Sequence, residues 1–292
     1  MLKDSKGLKI TLLVIVLLVM IVNFLPGDTY SAKQEVVASV KDSYDLTIKA
    51  IAGDVTVLLD PTATEISASY SGSGRTRSKL NLSQSGSTVT ISEKFSERGF
   101  FSFFNFTTTP RMMVVIPTDA TLRGFTANTV SGDLSIESNM TADTIKLSST
   151  SGDIDFLDLT ATVGAIQINT VSGSIEGYST TANKVKAAST SGDVEIYRIE
   201  SNDIDLGSVS GDIYGEAAPG NGTMKLSTIS GEIDMDLDAK TNATVNAKSL
   251  SGSIHLGVPG SQRFEKSATD TIGDGSGNIE AKTTSGSINI SW

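Results

Sequence analysis

The chain has 292 residues, no Cys, a single His and a formal net charge of −10. Without Cys there is no disulfide framework, thiolate metal site or thiol nucleophile, and a His-based triad would rest on His255 alone. The acidic balance argues against a nucleic-acid binder, which needs a basic face, and 73 Ser and Thr beside 27 Gly point to many short strands joined by Gly turns.

Residues 10–25 are apolar apart from Thr11 and Asn23, follow Lys3, Lys6 and Lys9, and end at Pro26 and Gly27. A helix of that length rises about 24 Å, short of a hydrocarbon core of about 30 Å. Leu8 and a snorkelling Lys9 bring it to spanning length. A cleaved signal peptide and an uncleaved signal-anchor compete here. Cleavage after Ala32 would put Tyr30 at −3, where a small residue is needed, so the anchor is preferred. The lysines then hold the N-terminus in the cytoplasm and leave the rest outside, in a single-pass cell-membrane protein. Membrane lipid is the partner expected for residues 10–25.

The next region alternates. Leu46, Ile48 and Ala50 precede Gly53, and Val55 and Val57 follow it. Ile66, Ala68, Tyr70, Leu80, Leu82, Val89 and Ile91 alternate around Gly-rich turns, with a hairpin connection expected at Ser85-Gly86. These strands are expected to cap one end of the fold, because an open sheet end invites edge pairing. Phe100, Phe101, Phe103, Phe104 and Phe106 hold five of the ten Phe and form the candidate interaction surface. A lid over the core, an interfacial membrane loop and an aromatic ligand platform are the readings open for this run.

From residue 121 a repeat takes over. Ser-Gly recurs with Gly132, Gly152, Gly173, Gly192, Gly211, Gly231, Gly252 and Gly286, in steps of 20, 21, 19, 19, 20, 21 and 34. Seven residues before each Gly stand Phe125, Ile145, Ile166, Val185, Ile204, Met224, Val245 and Ile279. Two later comes a second apolar column, and two later again a Ser/Thr column that begins Thr129, Ser149, Thr170. That is period 2, hence a strand with one inward face. After each Gly the inward set restarts, with Leu134, Ile154, Ile175 and their successors, on the opposite parity. A bulge or tight bend must intervene, and Gly supplies its backbone, with positive φ expected at Gly192 and its counterparts.

Each unit of strand, Gly corner and strand buries too narrow a face to stand alone, so like must stack on like. The fold class expected is all-β: a parallel β-solenoid of about 20-residue rungs with two short strands each, behind an N-terminal transmembrane helix. An antiparallel sandwich or β-prism is the alternative. The run 257–277 reads as a long loop before the last rung, and Trp292 as a cover for the C-terminal end. The chain divides into 1–32 (cytoplasmic tip, anchor and linker), 33–120 (one rung and capping strands) and 121–292 (the repeat).

Chemistry is sparse. The Ser before each Gly has no base beside it to make it a nucleophile. The residue after each Gly is acidic in most copies, starting with Asp54, Asp133 and Asp153. Ordinary turn preference and a calcium ladder are the two readings, and the spacing does not match the nine-residue calcium repeat. Asp153 with Asp155, or Asp234 with Asp236, are the pairs a glycosidase-like site would use, but alternating Asp is equally a solvated strand face. No catalytic, cofactor or metal site is assigned and the chain is not expected to be an enzyme.

The motifs Thr129-Val-Ser-Gly-Asp-Leu134, Ser149-Thr-Ser-Gly-Asp-Ile154 and Ser208-Val-Ser-Gly-Asp-Ile213, with Val114-Val-Ile-Pro117 ahead of them, carry a resemblance over residues 45–292. The pattern resembles the bacterial putative-adhesin family of β-strand repeats, a domain of unknown function. The resemblance implies a cell-surface protein and carries no catalytic motif; it supplies no mechanism. The chain is expected to act as a binding or interaction module for a cell-envelope protein or polymer, with no nucleic-acid partner. A structural stalk or scaffold is the rival reading.

Overall fold

The computed structural model describes residues 31–38, 43–73, 78–95, 110–257 and 263–292. Residues 10–25 and the Phe run at 100–106 lie outside them. Among the described residues no helix is long and apolar enough to cross a membrane. Every regular element there is a β-strand, and the 24 strands form one connected sheet wound into a solenoid.

Each rung is identified by its corner glycine. In the Gly152 rung, Thr144–Ser148 is the first strand and Ile154–Ala161 the second. Ile145 pairs in parallel with Phe125 on one side and Ile166 on the other, and Ile154 with Leu134 and Ile175. The columns therefore stack residue on residue, rung after rung. No member of the three main apolar columns, headed by Phe125, Ala127 and Leu134, is more than 1% exposed. Full burial of one such aliphatic side chain contributes roughly 1.5–3 kcal/mol. Where the inward column carries Gly177, the Phe156 ring fills the space that its Cβ would need, a large residue covering a small one in the next rung.

The corner glycines are needed for a different reason from the one the sequence suggests. None of the eight has positive φ. Instead each presses its Cα onto the backbone of the neighbouring rung. A Cβ on Gly192 would overlap the Gly173 carbonyl, and a Cβ on Gly211 the Gly192 carbonyl. The parity change is thus made by a corner so tight that only hydrogen fits between successive backbones.

A tight corner leaves two backbone groups without ladder partners, and side chains supply both. From Thr170 onward the inward Ser/Thr column donates to the glycine carbonyl of the neighbouring rung: Ser189 Oγ to Gly173 at 2.8 Å, Ser208 Oγ to Gly192 at 2.9 Å, Thr228 Oγ1 to Gly211 at 2.9 Å. The first two members, Thr129 and Ser149, make no such bond. The residue after the glycine donates its N–H to the side chain of its counterpart one rung back. Asp153 N–H reaches Asp133 Oδ1 at 2.9 Å, Ser174 N–H reaches Asp153 Oδ1 at 2.8 Å, and Asp212 N–H reaches Asp193 Oδ1 at 2.8 Å. The acidic column is a hydrogen-bond ladder, which explains why Asp and Ser interchange in it, since Ser174 Oγ accepts from Asp193 N–H as the Asp carboxylates do elsewhere. Among the described residues no group of three or more His, Asp or Glu side chains is placed to hold a metal ion.

The two ends are closed by antiparallel strands. At the N-terminal end the Gly53 rung, Tyr44–Lys49 and Asp54–Asp60, rests on Thr88–Phe95 and Arg111–Pro117. Ser78–Ser85 pairs antiparallel with Thr88–Phe95 through the turn at Gly86, and Ile66–Ser73 with Arg111–Pro117. Ser31–Ala38 lies outside Ile66–Ser73. Here the corner ladder meets its terminator. The buried Glu93 carboxylate accepts the N–H groups of Ile51 and Ala52 at 2.7 and 3.0 Å and the Tyr70 hydroxyl at 2.8 Å.

At the other end the run 257–277 is not a loop. It contains the strand Arg263–Ile272, antiparallel to Ala243–Leu256, because Ala268 and Ile272 bury their side chains on the end of the core. The chain then turns back. Gly277–Ser285 enters between Thr223–Ser227 and Ala243–Leu256, and Ile288–Ser291 pairs with Ile233–Leu237 and with Ile254–Leu256. The last rung in sequence is therefore the penultimate rung in space. Trp292 packs partly buried against the core beside that inner rung, and Arg263–Ile272 covers the end instead.

Close corner stacking predicts that Gly192→Ala lowers stability by at least about 2 kcal/mol in urea unfolding. Gly207→Ala, whose new Cβ meets nothing nearer than the Ser227 carbonyl oxygen at 3.6 Å, stays near wild type. Equal stability of the two variants would contradict the geometry.

Candidate functional site

The two outward faces of the solenoid differ in charge. On the first-strand face acids and bases neutralise one another. Lys184 pairs with Asp203 at 2.7 Å, Lys186 with Asp205 at 3.0 Å, Arg123 with Asp45 at 2.7 Å, and Lys282 with Glu280. On the second-strand face, Arg198 is the only Lys or Arg in the five strands Leu134–Ile136, Ile154–Ala161, Ile175–Thr181, Val194–Glu200 and Ile213–Ala218. Period 2 sends Asp155, Glu176 and Glu195 outward in one column, since Ile154, Ile175 and Val194 before them are buried. The corner ladder of Asp133, Asp153, Asp193 and Asp212 runs alongside.

Two residues further along, the outward column reads Glu137, Leu157, Tyr178 and Tyr197. Leu157, Tyr178 and Tyr197 are 49%, 53% and 57% exposed, unusual for large apolar groups on a strand face. The tyrosines sit one rung apart, and stacking aligns their rings at 5.5 Å between centroids and 9° between planes. The two columns line a groove of about 430 Å³, with Ser135 and Glu137 at one end and Glu195 and Tyr197 at the other. Beyond it Tyr214 donates its hydroxyl to Asp212 Oδ2 at 3.0 Å. Burial, that bond and the surrounding acids push its pKa up to about 12.

Along this groove carboxylates crowd on successive rungs. Asp155 lies in register between Ser135 and Glu176. Desolvation first, then the charges of Glu176, Asp153 and Asp133, raise its pKa. Among the described residues none of Glu137, Asp155, Glu176 or Glu195 forms an ion pair. A second hollow of about 410 Å³ lies where the rungs connect, lined by Glu200, Asn202, Asp238, Lys240 and the backbone near Gly220. It carries no exposed aromatic group.

Of the residues singled out by sequence, the eight corner glycines line up along one edge of the solenoid, with backbone rather than ligand as their neighbour. Asp153 is committed to the corner ladder, Asp234 accepts from Asn289 Nδ2 at 2.8 Å, and Asp236 accepts from the Ser291 hydroxyl. Phe100, Phe101, Phe103, Phe104 and Phe106 lie outside the described residues. Sequence reasoning missed the tyrosine groove. Its signal was two Tyr at the same offset from successive glycines, visible only once the outward columns are aligned as carefully as the inward ones.

A raised carboxyl pKa means that the folded state disfavours ionised Asp155. Its cost is present at neutral pH and disappears as the group protonates. Asp155→Asn therefore melts higher than wild type at pH 7, and the difference closes as pH falls toward the ordinary aspartate value of 3.8. A lower melting temperature at pH 7 would contradict the crowding.

Several solved structures are similar to this chain. A Bacteroides fragilis protein described as a putative adhesin is 15% identical, with a TM-score of 0.42, over 89% of this chain and 96% of that one. A putative adhesin from Parabacteroides merdae is 10% identical, with the same TM-score, over 89% and 95%. A putative lipid binding protein from Parabacteroides distasonis is 14% identical, with a TM-score of 0.31, over 89% and 96%. No curated protein matches the sequence. The family description Toastrack DUF4097 matches residues 42–291, nearly the whole repeat and its N-terminal cap. The chain belongs to the Toastrack DUF4097 family of β-strand repeat proteins.

Proposed function

We propose that this protein is a membrane-anchored interaction module of the cell envelope, held by residues 10–25 and displaying the solenoid outside the cell. It is a binding protein, not an enzyme, and uses no cofactor. Its anchor and single repeat domain resemble LiaG, a membrane protein encoded with a Gram-positive envelope-stress-sensing operon, and a role beside such sensing is part of this reading. The observation that supports binding over a passive stalk is the groove. The corner ladders and the apolar columns suffice for a rigid rod. Stacked, exposed tyrosines among these carboxylates are not required by that rod, and the desolvation and repulsion at Asp155 work against it.

The test is to replace Tyr197 by a photo-reactive amino acid in the full chain and irradiate intact cells. Adducts of higher mass are expected at position 197 and not at Lys146, on the opposite face, with the full-length protein in the membrane fraction. Equal labelling at both positions would leave only the stalk. Mature protein beginning after residue 32 in the medium would remove the anchor.

A further inference from the structure

We propose that the groove between Asp155, Glu176, Glu195 and the Tyr178–Tyr197 pair binds a cationic, partly apolar polypeptide segment presented in extended form. This rests on the groove being an interaction surface, and it names the chemistry of the partner.

The donor and acceptor balance carries the argument. Ionised carboxylates only accept hydrogen bonds. Glu137, Asp155, Glu176 and Glu195 give the groove acceptors at several successive rungs, about 5 Å apart. Its donors are Ser135 and the two tyrosine hydroxyls. A neutral sugar brings two acceptor lone pairs with each hydroxyl donor, and so adds acceptors to a lining already made largely of them. It also prefers an open aromatic face, and here the facing sides of the two rings are occupied by each other. An anionic polymer is repelled. A group that only donates, an ammonium or guanidinium, matches the lining.

The apolar row adds the second half of the specificity. Leu157, Tyr178 and Tyr197 run beside the carboxylate column, on the same outward face and two residues along each strand. A segment alternating cationic and apolar side chains places one kind on each row. Arg198, beyond Tyr197, is the only cation on these strands and pairs with none of the four acids. Among the described residues, then, no cation of the chain itself occupies the groove. The paired charges of the opposite face make it a poor competitor, since its acids already hold lysines.

The experiment uses the full chain in phosphatidylcholine nanodiscs, whose headgroups carry no net charge. The probe is a short capped peptide of alternating Lys and Tyr, with a Glu–Tyr peptide and a neutral N-acetylglucosamine oligomer as comparisons. Calorimetry should show the Lys–Tyr peptide binding and the other two not. Removing two exposed charge contacts by Glu176→Gln with Glu195→Gln should weaken it about tenfold. Tyr178→Ser with Tyr197→Ser should weaken it by a similar factor. Asp205→Asn, on the opposite face, should leave it unchanged. Thermal melting confirms that each variant is folded. Equal affinity for the Gln double variant, or preference for the oligosaccharide or the Glu–Tyr peptide, overturns the proposal. If the Lys–Tyr peptide fails while photo-adducts still form at position 197, the ligand class is wrong and the groove remains an interaction surface. If both fail, both fall.

Discussion

Glycine stacked on glycine at the corner sets the terms for everything else in this molecule. Only hydrogen fits between the successive corner backbones, since a Cβ on any of these glycines would overlap the neighbouring rung's carbonyl. That contact fixes the register of every rung against the next, because sliding by one residue would bring a Cβ onto a carbonyl. It also strands a carbonyl and an amide at each turn. From Thr170 onward the Ser/Thr column satisfies the carbonyl from inside, and the acidic column satisfies the amide from outside. The apolar columns follow from the register rather than creating it.

A ladder of this kind must be stopped at both ends. At the N-terminal end Glu93 takes over the role of the missing rung, accepting two amides and the Tyr70 hydroxyl with one buried carboxylate. Pro110 supplies the carbonyl that the Asp54 amide needs, at 2.9 Å. At the C-terminal end the chain overshoots, lays down Arg263–Ile272 as an antiparallel cover, and returns to insert its final rung one place inward. An antiparallel strand ends a parallel stack effectively because it breaks the repeat of like on like. The cover strand carries a further interruption at Lys266, whose positive φ coincides with the register shift opposite Lys248 and Ser253. Such a bulge discourages pairing with another edge.

The sequence shows the rungs plainly, because period 2 and a recurring glycine are local signals repeated many times. Phe125, Ile145 and Ile166 fall in one column on the page and in one column in space. What stays hidden is whatever depends on a neighbour about 20 residues away. The glycine at 192 looks like a conformational need, yet its constraint is the carbonyl of Gly173. Asp153 looks like a turn residue, yet it serves the amide of Ser174. The order of the last two rungs is invisible, because Gly252 and Gly286 carry the same motif and nothing local says which one lies outermost. The tyrosine groove was hidden for the same reason: Tyr178 and Tyr197 are unremarkable singly and become a pair only across a rung. Charge segregation, likewise, is a property of two faces and is lost in a net charge of −10.

Ladders that satisfy the corner from both sides leave the outer faces free to vary, which is how one rigid rod can carry a neutralised face and an acidic, aromatic one. The central claim is that side chains of one rung hold the corner backbone of the next. Amide hydrogen exchange measures this directly. The amides of Asp153, Ser174, Asp212 and Glu232 sit at the surface, so only their bonds to the preceding rung can protect them. Protection comparable to that of the buried strand amides at Ile154 and Ile175 is the expected result. Exchange at the rate of an unstructured surface loop would contradict the account.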